Sequence, residues 1–159
     1  MPPVPVTTWA PQADDGGTVL DRVVNHRPDY ADAMRSVDAA IWSQRALDLG
    51  VLELCRLRIA QLLGAPHGVD NVRSEARPYV TDEQITRLSQ WPDDPVFTAD
   101  QRACLAHAEQ LLIDATGVDD ASAATVMAAV GHDGFVVLSY ACGFFETTTR
   151  AALVVEGRQ

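Results

Sequence analysis

The sequence predicts an all-α domain organised around one buried helix, and three observations carry that reading. No stretch alternates apolar and polar residues with the period of two that a half-buried strand requires. Nearly continuous apolar runs at residues 49–63 and 135–155 carry few polar insertions, as helices buried on most sides do. Start and stop signals bracket the segments: Thr81-Asp82-Glu83-Gln84 and Thr98-Ala99-Asp100-Gln101 fit the capping-box pattern, and Gly64 and Gly131 stand at expected helix ends. The expected architecture is a single-domain helical bundle of about seven or eight helices.

In chain order, residues 1–17 hold four prolines and close on Asp14-Asp15-Gly16-Gly17, which predicts an extended arm with Trp9 as a packing anchor. Residues 18–159 form the domain. Thr18 to Asn25 makes a short helix. Pro28 suits a first-turn position, and Tyr30, Ala33, Met34, Val37, Ala40 and Ile41 keep helical spacing toward Ala46. Trp42 belongs to the same face and either joins the core or lines a ligand cavity. In the run from Leu49 to Leu63 apolar residues cover every side of the helical wheel, so Glu53, Arg56, Arg58 and Gln61 are the anomaly. Ionised groups there must pair or face a wet cavity, because a desolvated, unpaired charge costs several kcal/mol.

Gly64 stops this helix and Ala65-Pro66-His67-Gly68 turns the chain, putting His67 at the end of the helix that carries Glu53. Val69 to Ala76 is expected to be helical, ending before Pro78 and holding Asp70 close to His67. Pro92 and Pro95 forbid regular structure, leaving Trp91 and Phe97 to fold back as hydrophobic pegs. An amphipathic helix with His107 follows from Ala99 to Asp114, another runs from Asp119 to Val130, and the last spans Phe135 to Val155 with Tyr140, Glu146 and Arg150 as polar insertions. The i,i+4 order of Glu146 and Arg150 fits either a helix-surface pair or a cavity-facing one.

Composition excludes several functions. A net charge of −10 and a pI near 4.6 argue against nucleic acid as a partner, which demands a basic patch. All twelve basic residues are arginine, which removes Schiff-base lysines, pyridoxal-phosphate chemistry and the P-loop. Cys55, Cys104 and Cys142 are widely spaced and odd in number, the pattern of buried thiols in a reducing compartment. The opening residues carry neither a basic region nor an apolar run, and no stretch reads as a clean membrane span, so a cytoplasmic protein without a membrane partner is expected. No cofactor is expected. His67 and Asp70 form the best close ligand pair, but two ligands do not make a metal site, and none is expected.

The run LELCRLRIAQLLG and its following turn closely resemble the central motif of the alkylhydroperoxidase D-like and carboxymuconolactone decarboxylase superfamily, E-L-x-x-L-R-x-A-Q-x-x-G-C-x-x-C-x-x-x-H. WPDDPVFTADQRACLAHAEQL, residues 91–111, resembles the family's W-x-x-S-P-x-F-T-x-x-E-R-A-x-L-x-x-A-E-x-L segment, and FFETTTRAA, residues 144–152, its closing F-x-N-x-x-N-R helix. The resemblance covers roughly residues 27–155. Its upstream glutamate falls on Glu53, and a histidine carried by some members inside the C-x-x-C falls on His67. The redox cysteines fall on Ala65 and Gly68, the following histidine on Val72, and the two closing asparagines on Glu146 and Thr149, while Arg150 keeps its place. A disulfide cycle needs an attacking thiolate and a resolving thiol, and neither alanine nor glycine supplies one.

The resemblance includes a decarboxylase branch that works without the cysteine pair. It implies a non-redox lyase or isomerase acting on a small carbonyl- or carboxylate-bearing metabolite, with Glu53 and His67 as the acid/base pair. Arg56 or Arg58 would hold a substrate carboxylate or enolate, and Asp70, Trp42 and Tyr140 are further binding candidates. The alternative is a non-catalytic relative that binds a ligand or serves in assembly, with Glu53 paired to Arg56 and His67 capping the helix. A residual peroxidase or disulfide reductase ranks last. The apolar helices, and the family's habit, imply a homo-oligomer, either trimer or dimer.

Overall fold

The computed structural model describes residues 18–156, and the expected arm with Trp9 lies outside them. Nearly every helix begins on a residue the sequence supplies for the purpose. Thr18 caps α1 (Val19–Val24), Pro28 opens α2 (Pro28–Ser43), and the Asp48 side chain accepts the N–H of Val51 at the start of α3 (Leu49–Leu63). Thr81 and Thr98 form the expected capping boxes of α4 (Asp82–Thr86) and α5 (Ala99–Asp114). Asp119 accepts the N–H of Ser122 at 2.8 Å and starts α6 (Asp120–Glu156). Caps of this kind contribute about 1 kcal/mol each by satisfying N–H groups with no partner inside the helix.

Gly131 breaks α6 with a φ of 75°, the left-handed region where a glycine carries no steric cost, so the described residues form seven α-helical segments, four short 3-10 turns and no strand. Gly64 closes α3 in the same conformation, its N–H returned to the carbonyls of Ala60 and Gln61.

The centre of the bundle is α3, packed against α5 and α6, which also pack on one another. Leu52, Leu54, Cys55 and Leu57 have no exposed surface, and a leucine buried this way stabilises by about 1.5–3 kcal/mol. Phe97 is buried as a peg, and Trp91 turns back so that its indole N–H donates to Glu109 at 2.7 Å.

Three expectations are corrected. Val69 to Ala76 is not a helix: it holds a single 3-10 turn, Val69–Asn71, and Val72 is extended. The backbone N–H of Arg73 bonds the Glu53 carboxylate at 2.9 Å rather than a carbonyl of its own segment, which stops helix propagation. Second, α2 ends at Ser43, short of Ala46, because the Gln44 side chain takes the N–H groups of Ala46 and Leu47 and donates to the Leu47 carbonyl. Third, α6 is by length and composition apolar enough to cross a membrane, although it packs here against α1, α3 and α5; much of its most apolar stretch is not buried within this chain.

His107 sits in the core at 4% exposure, against Phe135 with ring centroids 5.1 Å apart. Ser139 gives its proton to the Phe135 carbonyl, so the 2.9 Å contact between His107 Nε2 and Ser139 Oγ has Nε2 as donor. Nδ1 is then a buried lone pair with no partner among the described residues. Burial lowers the pKa of His107, favouring the neutral ring. The unfolded chain therefore binds the proton first, and stability falls as pH drops below the ordinary imidazole value of about 6.5 until the lowered native value is passed. Urea unfolding of wild type and His107→Gln should diverge in this way: the wild type loses more stability between neutral pH and about pH 5 than the variant does.

Candidate functional site

Glu53 is fully buried in α3, and its carboxylate is satisfied by three donors. Arg56, one turn on, closes a two-point pair, Nε on Oε2 at 2.8 Å and Nη2 on Oε1 at 2.6 Å; the third donor is the backbone N–H of Arg73 on Oε1. Nη2 of Arg56 also donates to the Asn71 carbonyl. One carboxylate thus ties the middle of α3 to the far end of the turn that follows it. Of the five N–H groups on the Arg56 guanidinium, the two on Nη1 have no partner among the described residues, and the side chain keeps 20% of its surface exposed.

A second layer stands beside this pair. Arg73 grips Asp38 with two bonds, at 3.1 and 2.9 Å, reaches Glu75 at 3.1 Å, and lays its guanidinium 4.7 Å from the centre of the Trp42 ring. Burial works against the charge on Arg73, but Glu75 and Asp38 outweigh it and raise its pKa. Glu75 is held down to about 2 by a backbone N–H, Arg73 and Ser74.

Two clefts meet at this network. The turn cleft, about 510 Å³, is lined by Arg56, Ala60, residues 64–68 with His67, Asn71 and the α6 residues Thr149, Ala152 and Leu153. The helix cleft, about 400 Å³, lies among α1, α2 and α6 and contains Arg35, Asp38, Arg56, Arg73 and Thr149. Arg56 and Thr149 line both. His67 is half-buried, and its Nδ1 lies 2.7 Å from the Ala65 carbonyl. A carbonyl only accepts, so Nδ1 carries the proton and Nε2 of the neutral ring holds an available lone pair.

The structure brings only some of the sequence candidates together. His67 and Arg56 share the turn cleft, but Glu53 lines neither cleft and makes no hydrogen bond to His67, so the structure does not bring together the two residues expected to form the acid/base pair. Glu53 is buried because Arg56 and the Arg73 N–H use its oxygens. Arg58 points to α5, where it pairs with Glu109, and also donates to Gln61 one turn on in its own helix. Asp70 is exposed, Trp42 is in the core against Phe145 with centroids 5.8 Å apart, and Tyr140 is 80% exposed on α6. Glu146 and Arg150 pair at 3.0 Å, and Glu146 also edges a separate 220 Å³ cavity. The sequence carries no signal for Arg73, Asp38 or Arg35: Arg73 lies in the irregular segment after the 3-10 turn, and Asp38 and Arg35 lie on α2, a helix with few buried residues.

All three thiols are buried. Burial raises Cys55, with further push from Cys142 and Cys104, and drives Cys104 and Cys142 up to about 12, so none supplies a thiolate near neutral pH. No cysteine lines either cleft. Among the described residues no group of three or more His, Cys, Asp or Glu side chains is placed to hold a metal ion.

A solved structure from Agrobacterium tumefaciens, a protein of unknown function described as a candidate antioxidant defence protein AhpD, superposes with a TM-score of 0.74 at 24% sequence identity. The match spans 86% of this chain and 94% of that one. The chain has the alkylhydroperoxidase D-like fold. No family model matches the sequence, and no curated protein matches it significantly. Within the alkylhydroperoxidase D-like fold, Ala65 and Gly68, where the sequence resemblance places the redox cysteines, both line the turn cleft beside His67.

Removing one partner of a buried ion pair strands the other charge and costs about 3–5 kcal/mol, toward the lower figure where one partner keeps contact with water. Glu53→Ala should therefore lose about 3 kcal/mol in denaturant unfolding, while His67→Ala, whose ring holds one local bond, should lose under about 1 kcal/mol. Equal losses from the two variants would contradict the assignment of Glu53 as the structural anchor.

Proposed function

We infer that the protein is a non-redox proton-transfer enzyme, a lyase or isomerase acting on a small carbonyl- or carboxylate-bearing metabolite in the turn cleft. The observation that carries this reading is the pairing in one cleft of a histidine whose Nε2 lone pair is available with an arginine whose Nη1 donors are unoccupied. His67 is the base. It takes a proton from the carbon next to a carbonyl, the electron pair of that C–H bond moves to the carbonyl oxygen, and the resulting enolate is held by Arg56. Returning the proton to a different carbon isomerises the substrate. In a β-oxo acid the C–CO₂ bond breaks instead, its electrons enter the same enolate, and a protonated His67 delivers the proton to carbon. Glu53 is a positioning residue: it fixes the guanidinium plane so that Nη1 is the end left over.

Supporting the non-redox part is the seclusion of every thiol from both clefts. Proton exchange tests the whole. In D₂O, wild-type protein should accelerate loss of the α-proton signal from short 2-oxo and 3-oxo acids, and His67→Gln should lower that rate by about 10²–10⁴-fold, the usual contribution of a positioned base. Cys55→Ala, Cys104→Ala and Cys142→Ala should keep it. An exchange rate unaffected by His67→Gln, or lost in one cysteine variant, would exclude the proposal.

An assembly role has its own support. Val136, Tyr140 and Val154 on α6 and Ile113 on α5 are each more than half exposed, and apolar side chains left open to water support burial between subunits of a homo-oligomer, trimer or dimer; the protein is proposed to be cytoplasmic. Sedimentation equilibrium at low micromolar concentration should give a mass that is a multiple of 17.2 kDa, and Tyr140→Glu should shift it toward the monomer. A single species of monomer mass for the wild type would refute assembly.

A further inference from the structure

The helix cleft has no part in the proton chemistry just described, yet it opens on the same arginine. Its walls are mainly apolar, with Leu20, Val24, Met34, Phe144 and Ala151 around about 400 Å³, a size within the range of small-molecule sites. Its charged lining is three arginines, Arg35, Arg56 and Arg73, against Asp21 and Asp38. Asp38 is committed to Arg73, and Asp21 to the cap of α1, where it accepts from Thr18. Each arginine is paired as well, Arg35 with Asp32, Arg73 with Asp38 and Glu75, and Arg56 with Glu53, so what the cleft offers a ligand beside its apolar wall is the pair of Nη1 donors on Arg56. A neutral apolar ligand would leave the Nη1 donors unmet, and a dianion would confront the two aspartates. The complementary ligand has one negative end and an apolar body.

We propose that the helix cleft takes the apolar body of a small monocarboxylic oxo acid whose carboxylate and neighbouring keto oxygen share the two Nη1 N–H groups of Arg56, where the helix cleft and the turn cleft meet. Resting on the proton-transfer reading, it narrows the substrate class to oxo acids bearing a hydrocarbon or aryl tail. Arg56 and Thr149 line both spaces, so a molecule anchored at Arg56 extends its tail among α1, α2 and α6 while its reactive carbon faces His67. Arg73, stacked on Trp42 and clamped by Asp38, forms a fixed wall between tail and core.

Straight-chain carboxylates test this without needing the true substrate. Titration of the full chain with butanoate, hexanoate and octanoate, followed by amide NMR, should show affinity rising about fourfold per methylene, with shifts centred on Met34 and Ala151. Octanol should bind at least about tenfold more weakly than octanoate, because it cannot engage the guanidinium as a charge. Ala151→Leu, checked for folding by circular dichroism, should shorten the preferred chain. Equal binding of octanol and octanoate, affinity independent of length, or shifts confined to the outer face of α6 would each overturn the proposal. A second copy of the chain filling the cleft would appear as octanoate binding that disappears as the protein assembles, and that too would overturn it. The two readings fail separately: His67-dependent exchange without chain-length dependence removes the tail site and keeps the chemistry, while graded octanoate binding without exchange does the reverse.

Discussion

Everything near the candidate site depends on one buried carboxylate. Glu53 has no exposed surface, so its charge must be met by donors supplied by the protein itself, and it recruits them from two places, the next turn of its own helix and the backbone twenty residues on. An ionised group so placed is costly unless fully satisfied, and the satisfaction dictates local geometry. Arg56 is turned side-on to it, Asn71 is drawn to Arg56, and the segment beyond Gly68 gives up helical structure to present the Arg73 N–H.

That constraint explains why the clefts sit where they do. Side-on pairing uses one edge of the guanidinium and leaves the other, and an arginine does not lose its charge at any pH a folded protein meets. A fixed positive edge between an apolar space and a histidine-bearing turn follows from holding Glu53 in the core. The Arg73–Asp38 pair, laid over Trp42, braces α2 against the same turn, so three segments of different sequence converge on one small volume.

Much of the fold was legible in the sequence, for reasons visible at particular residues. Thr18, Thr81, Thr98, Gly64 and Gly131 carry local signals, and each acts where its chemistry says it should. The misread segment after Gly68 failed because its outcome is set at a distance: helical spacing from Val69 to Ala76 is overridden by a carboxylate on another element. The same limit applied to the site. Glu53 and Arg56 were conspicuous as charges in an apolar helix, and their i,i+3 spacing offered pairing as an option. What the sequence did not disclose was that pairing would turn Glu53 away from the cavity, or that Arg73 and Asp38, unremarkable in their own segments, would complete the wall. Pairings across tens of residues leave no trace in local periodicity.

The buried thiols have a consequence outside any reaction the protein carries out. Cys55, Cys104 and Cys142 lie in the central packing among α3, α5 and α6, protonated and inaccessible while the bundle is closed. A thiol reagent can reach them only through an opening of the core, so the rate of labelling tracks conformational opening, with one reporter on each of the three packed helices. The chain thus carries an internal gauge of its own breathing, read out by ordinary alkylation.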